Sequence, residues 1–434
     1  MKGRPGLVPE LVVVIMPRRS RRSPLTTILF FLVAASLLSY LFSHDFPLTS
    51  HPSAYFGSTG EDVVHIALTE TGGSHDEVLA ALVYSFASHP RVSMDIYQRS
   101  PRYGISHILN AFELPRKPQG PFRPDSFLMS WQDREWGIPD IWISTTCEVD
   151  LPRYQTNMTM LLEQGSTYLF CVVHHSDVWD NTRLRDIARP WVERNRMQFI
   201  TLSPHTADYL QYRTLLHWET TVEPVVRPLA PVFPVHISET DGVEVDHSFA
   251  LQGDFSPGRR DYQALFTRLE SFLQSAGPSP DKNITMHLLG HGHRPRVPDS
   301  INSHVQFNEN LAYPEYYSLL SRTFALLPAF ASDGYFHTKA SSTIPAALIA
   351  GAPLIATAEL VEAYSYLSED AVWIQEEGMS DMDVVAQVLQ MSEEERRRKK
   401  QFVREWSQQL MHENVQKAAG WIHEAMDKLD KPLQ

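Results

Sequence analysis

The chain has 434 residues, 43% hydrophobic and 21% charged, a globular composition with length enough for two domains. Its net charge of −13 argues against nucleic-acid binding, which needs a basic footprint. Its two cysteines exclude a disulfide framework and a cysteine-based zinc cluster. A locally basic pocket for a small anion is compatible with both numbers.

Residues 1–24 form a basic tail, with Lys2, Arg4, Arg18, Arg19, Arg21 and Arg22 against the single acid Glu10. The stretch 25–42, LTTILFFLVAASLLSYLF, then runs for 18 residues without a charge, long enough for a membrane span. The arginines before it place the tail on the cytoplasmic side and translocate the body. A cleaved signal peptide has a shorter apolar core and a small-x-small cleavage site, which 39–43 (SYLFS) does not show. The expectation is a single-pass type II signal anchor with a lumenal body. Met16 stands as an alternative start. A stem rich in Ser, His, Pro and Gly follows at 43–60.

The body begins with a buried strand at 63–68, a glycine turn at 71–75 (TGGSH) and a helix at 76–88, in which Val78, Leu79, Leu82, Val83 and Phe86 share one face. The next strand is 92–97. This β–Gly turn–α–β unit is how an open parallel sheet starts. Further strands are expected at 138–144, 167–173 and 199–202. Cys147 and Cys171 lie in apolar, strand-like segments and are either one disulfide or two buried thiols. Asn157-Met158-Thr159 and Asn283-Ile284-Thr285 are N-glycosylation tripeptides if the body is lumenal.

The Pro-rich 224–234, PVVRPLAPVFP, reads as a linker. A second alternating half follows, with strands at 248–252, 284–289, 305–307 and 324–327 and helices at 261–275 and 313–321. Its most informative stretch is 332–357, SDGYFHTKASSTIPAALIAGAPLIAT: a loop, a helix and a short buried strand. Lys339 and the hydroxyl cluster Ser341-Ser342-Thr343 sit just before the apolar run. A helix N-terminus offers free N–H groups and partial positive charge, so this arrangement suits a phosphate. Gly351 and Pro353 end the helix. The tail opens with a capping box, Ser392 to Glu395, before a long helix whose basic run 396–400 reads as a solvated face. Two Rossmann-like halves joined by a linker imply a cleft, with ligands at the C-terminal ends of the strands.

The order of these pieces resembles the GT-B glycosyltransferases, in particular the retaining family 4, or group 1, with its sucrose synthase-like and mannosyltransferase-like enzymes. The resemblance covers roughly 63–429 and is closest in the second half. FALQG at 249–253, followed by Arg259-Arg260, looks like that family's strand–Gly–Arg element facing the donor diphosphate. MHLLG at 286–290 looks like its next strand ending in glycine. The stretches 328–334 and 347–353 look like its donor loop and small-residue helix. FCVVHH at 170–175 looks like the strand that ends in a histidine beside the cleft, and TLS at 201–203 like the strand–Ser element near the end of the first domain. The family often carries a Glu pair in the donor loop, for the sugar and the ribose. Here Asp333 falls near the first position and Ala346 near the second.

The resemblance implies an α/β, GT-B architecture of two Rossmann-like domains facing across a cleft, preceded by one N-terminal transmembrane helix. It implies an acceptor domain at 61–230, a linker at 231–247, a nucleotide-sugar donor domain at 248–391, and a final helical segment at 392–434 that returns to the first domain. His174 and Asp333 are the expected catalytic residues. Gly253, Arg259, Arg260, Lys339, Ser341, Ser342 and Thr343 are expected to hold the donor diphosphate, and Gly72, Gly73 and His75 to face the acceptor. Arginine, lysine and backbone N–H groups stabilise a diphosphate leaving group without a metal. With no DxD-like pair or zinc spacing in view, no metal or other cofactor is expected beyond the nucleotide sugar as co-substrate.

The expected activity is retaining transfer of a hexosyl-type sugar to a glycan or glycoconjugate, on the Golgi or endoplasmic reticulum membrane, with no nucleic-acid partner. The alternative is a catalytically inactive GT-B-like protein of the secretory pathway that binds glycans or acts as a scaffold.

Overall fold

The computed structural model describes residues 63–125, 137–237, 247–275, 284–431 and 433. The expected basic tail, membrane anchor and stem, and Asn283 of the second glycosylation tripeptide, lie outside the described residues. Among the described residues, no helix is long and apolar enough to cross a membrane.

The first half builds a parallel sheet from β1 (Val64–Glu70), β2 (Val92–Gln98), β3 (Gln119–Phe122), β4 (Ile141–Ser144), β5 (Tyr168–Val173), β6 (Met197–Thr201) and β7 (Val225–Pro228). Their spatial order is β3-β2-β1-β4-β5-β6-β7. The second half repeats the plan with β8 (His247–Gln252), β9 (Ile284–Gly290), β10 (Val305–Glu309), β11 (Ala325–Leu326), β12 (Leu354–Thr357) and β13 (Val372–Gln375), ordered β10-β9-β8-β11-β12-β13. Both sheets reverse direction beside their first strand, at β1/β4 and at β8/β11. Such a switch point opens a crevice at the C-terminal ends of the strands. β4 and β5 are buried on both faces, as strands covered by helices on both sides must be.

The helix Asp76–Ala87 buries Leu79, Leu82, Val83 and Phe86 of the expected apolar face, with Val78 partly buried beside them. It packs beneath the long helix Glu393–Lys428, which starts in the capping box of Ser392 and Glu395. That helix runs back over the first sheet. Asn414 Nδ2 donates to the Ala230 carbonyl at 2.6 Å, Arg227 forks onto Glu424 at 3.0 and 2.7 Å, and Trp421 packs near Phe86 and Phe170.

Three local expectations are corrected. The Pro-rich 224–234 supplies β7 and then buries Leu229, Val232 and Phe233 completely. An edge strand tolerates proline because its outward N–H has no ladder partner to lose. Cys147 opens the helix Cys147–Arg153 instead of lying on a strand, because β4 ends at Ser144 and Thr146 takes the position before the helix. Its sulfur is bonded to that of Cys171 on β5. The basic run 396–400 is only partly solvated: Arg396 and Lys400, one turn apart, are buried, and Arg396 Nη1 donates to the carbonyls of Val388 and Met391.

Candidate functional site at the strand ends

On the first sheet, β1 ends in Glu70 and the chain turns through Gly72 and Gly73. Glu70 Oε1 accepts from the Gly73 amide at 2.6 Å. Glycine is required at 72 because a Cβ there would lie 2.9 Å from the Thr146 methyl and 3.3 Å from the His75 ring. Gly73 has φ +73°, where a side chain would be strained. His75 precedes the helix Asp76–Ala87, and its ring centroid lies 3.9 Å from that of His174, which follows β5. Burial, then the neighbouring His174, His175, Arg102 and Arg259, push the His75 pKa down to about 2, so this ring is neutral.

His174 is held from two sides. Its Nε2 lies 2.7 Å from the Thr145 carbonyl, which can only accept, so Nε2 is the donor of that bond. Glu148 Oε1 accepts from the backbone amides of His174 at 2.7 Å and His175 at 3.1 Å, and from Trp179 Nε1 at 3.4 Å. Beneath this lies Asp150, fully buried, which accepts from the hydroxyls of Thr69, Ser144, Thr146 and, by the shortest contact, Thr71. Burial pushes its carboxyl up to about 6.

On the second sheet, β8 ends in Gln252 and Gly253 turns the chain at φ +131°. The Arg260 guanidinium packs against Gly253, where a Cβ would lie 3.1 Å from Nη2. Arg260 is 3% exposed. It donates from Nε and Nη2 to the Gln252 carbonyl, from Nη1 to the Arg259 carbonyl, and from Nη2 to Thr343 Oγ1 at 2.8 Å. Phe330 and Tyr335, stacked on each other at 4.6 Å, pack near the guanidinium carbon, 5.3 and 5.7 Å from their centroids. Every hydrogen-bond acceptor named for Arg260 is neutral. Its neighbour Arg259 is exposed and ion-paired with Asp254 at 2.8 Å, a carboxylate that His291 also meets at 3.1 Å.

Thr343 opens the helix Thr343–Ala350 and is fully buried; its hydroxyl accepts from both Arg260 and Gln252. Ser341 Oγ accepts from the Thr343 amide at 3.2 Å. Ser342 is exposed, caps no amide of the helix with its side chain, and meets Gln252 Nε2 at 3.1 Å. The three hydroxyls thus differ: two are built into the scaffold around Arg260 and one faces solvent.

Lys339 forms an isolated antiparallel bridge with His175, and the Ser176 amide donates to the Thr338 carbonyl at 2.9 Å. These contacts bring the loop after β5 against the loop before Thr343. The Lys339 ammonium is close enough to His175 to help lower its pKa, behind burial and opposed by Glu148. Asp333 sits exposed before the short helix Gly334–His337 and makes no side-chain cap bond to it. Glu148, Gln252, Phe330, Tyr335, His205 and Tyr364 were not singled out by sequence reasoning. Each joins the site through a contact distant in the chain that no local pattern marks. Among the described residues, no group of three or more His, Cys, Asp or Glu is placed to hold a metal.

No protein-family model and no curated protein matches the chain. Among solved structures it is similar to Anabaena Alr3699/HepE. The complex of that protein with UDP and glucose is 12% identical, with a TM-score of 0.54 over 83% of this chain and 99% of that one. Its complex with UDP-glucose is 12% identical, with a TM-score of 0.53 over 82% and 99%. Its complex with UDP is 13% identical, with a TM-score of 0.51 over 84% and 100%. At such identity the likeness is one of fold. The chain folds as two parallel-sheet α/β domains consistent with the GT-B architecture.

Proposed function

We propose that this protein is a glycosyltransferase that takes a sugar from a nucleotide-sugar donor held by the second α/β half and transfers it to a glycan or glycoconjugate held by the first. The carrying observation is Arg260, a buried guanidinium whose hydrogen-bond acceptors among the described residues are neutral, placed at the end of β8 and on the first residue of the helix Thr343–Ala350. A buried cation is costly unless an anion meets it. A diphosphate beside Gly253 supplies that anion, with Lys339 and Ser342 as further donors. The solved Alr3699/HepE complexes contain UDP, glucose and UDP-glucose, ligands of the same chemical class.

In this reading, charge developing on the leaving diphosphate is met by fixed donors that need no reorganisation, and no metal is required. His174 orients the donor sugar, its ring fixed by Thr145 and Glu148, while Asp333 approaches from the second half. Gly72, Gly73 and His75 bound the acceptor side. Retention at the anomeric carbon belongs to the proposal through family resemblance alone. A type II anchor in the Golgi or endoplasmic reticulum membrane is part of the proposal as well, and rests on the apolar 25–42 and the arginines before it. The Cys147–Cys171 disulfide is compatible with an oxidising lumen.

A second reading is a non-catalytic GT-B-like protein. Ala346, near the family's ribose-binding Glu position, is fully buried and offers no polar group there. Thermal stabilisation of the full chain by a panel of nucleoside diphosphates and nucleotide sugars tests both readings. A ligand at 100 times its Kd stabilises by about 2.7 kcal/mol. A selective shift with one nucleotide, followed by formation of a glycosidic bond, supports the transferase. A shift without turnover supports the second reading, and no shift with any nucleotide overturns both the donor site and the transferase reading.

A further inference from the structure

His205 lies in the helix Pro204–Tyr209 that follows β6, and its ring reaches the second α/β half. Nδ1 lies 2.9 Å from the Ala363 carbonyl and Nε2 lies 3.1 Å from the Lys339 carbonyl. Carbonyl oxygens only accept. A neutral imidazole has one N–H, so it satisfies one of these oxygens and points a lone pair at the other; an imidazolium satisfies both. The Ser203 hydroxyl lies 3.4 Å from Nε2, the longest of the three contacts, and a lone pair on Nε2 would still face the Lys339 carbonyl.

The same loop is pinned from its other side by Tyr364, whose ring packs edge-on against His205 at 4.6 Å. The Tyr364 hydroxyl accepts from the Ser341 amide and donates to the Tyr335 carbonyl, each at 2.9 Å. Two side chains therefore hold the backbone at residues 335, 339 and 341. This segment carries Lys339 and leads into Thr343.

We propose that His205 is a positioning residue that grips the Lys339 loop across the cleft with two hydrogen bonds as an imidazolium and one as a neutral ring, so that the loop tightens as pH falls. Its importance for donor binding rests on the reading of that loop given above; the grip itself does not. The groups that face the ring are Asp208 on its own helix, His337 and Lys339 on the gripped segment, and Tyr364 beyond Ala363. Burial lowers the pKa of His205 most, the two carbonyls and Asp208 raise it, and His337 opposes protonation. The net shift is downward, so the second bond forms only below the ordinary imidazole range.

Hydrogen–deuterium exchange of the full chain without nucleotide reads the grip directly. After correction for intrinsic rates, the amides of Lys339 and Ser341 should be roughly tenfold better protected where the His205 ring is doubly protonated than at about pH 8, since one charge-assisted bond is at stake. His205→Ala should show low protection without a pH step, while His337→Gln should keep the step. In the parent, the ¹⁵N spectrum of the His205 ring should move from one N–H to two as the protection rises, a signature that does not depend on any variant folding. Protection that is flat across the range, or a ring that remains singly protonated while protection changes, overturns the proposal. Because no nucleotide is present, failure here leaves the donor-site reading untouched, and failure of nucleotide binding leaves the grip untouched.

Discussion

Arg260 Nη2 donates to Thr343 Oγ1 at 2.8 Å, joining the turn after β8 to the first residue of the helix Thr343–Ala350. The bond places a full positive charge beside the positive end of a helix, an arrangement unfavourable in isolation and favourable to an anion that both can face. Arg259 has a carboxylate partner in Asp254, so the two adjacent arginines are electrostatically distinct.

Arg260→Ala should weaken binding of the preferred nucleoside diphosphate by roughly ten- to hundredfold, the loss of one charge-assisted contact of about 1.5–3 kcal/mol. Arg259→Ala should change it far less, because its charge is exposed and already paired. Calorimetric titration of both variants checks the order, and equal losses would place the anion elsewhere.

Glu148→Ala removes one acceptor from three donors, the amides of His174 and His175 and the indole of Trp179. Leaving a buried donor unsatisfied costs about 1–3 kcal/mol, so the melting temperature should fall measurably. His174 should lose its fixed orientation, and turnover should fall more than donor affinity. A KM effect with kcat unchanged would assign Glu148 a binding role instead.

Tyr317 OH donates to Glu77 Oε1 at 2.6 Å, linking the helix Tyr313–Arg322 of the second half to the helix Asp76–Ala87 of the first. Burial raises the Glu77 pKa from 4.5 to about 7. The unfolded chain therefore releases this proton first, and the Glu77 contribution to stability falls as pH rises from 4.5 to about 7. The change in stability across that window should be shallower in that direction for Glu77→Gln than for the parent. Denaturant midpoints at several pH values check this; a difference that stays constant with pH would show that Glu77 does not titrate there.

Cys147 and Cys171 are bonded at a separation of 24 residues. Closing a loop of this size constrains the unfolded chain by about 3 kcal/mol in the chain-entropy account. Cys147→Ser with Cys171→Ser should lower the denaturant midpoint accordingly, and a reductant should lower that of the parent but not of the double variant. A parent unaffected by reductant under unfolding conditions would speak against the bond.

Much of the fold was legible because parallel strands covered on both faces are continuous apolar runs. Tyr168–Val173, buried throughout, is an example that local composition reveals directly. β3, with the sequence QGPF, and β7, bracketed by prolines, were not legible, since edge strands carry little apolar signal and their pairing is decided by the neighbouring strand. The capping box of Ser392 was legible because it is a contact between residues three apart.

The sequence by itself determined the alternation of strands and helices, the two glycine turns at 72–73 and 253, and the polar cluster before the helix that starts at Thr343. All of these follow from local sterics and from the period of apolar residues. Only the tertiary structure decided that Arg260 is buried while Arg259 is paired, that Glu148 holds the loop of His174, and that His205 reaches Lys339. Those relations depend on which strand ends meet at the two switch points, and His205 and Lys339, 134 positions apart, become neighbours only after both sheets have formed.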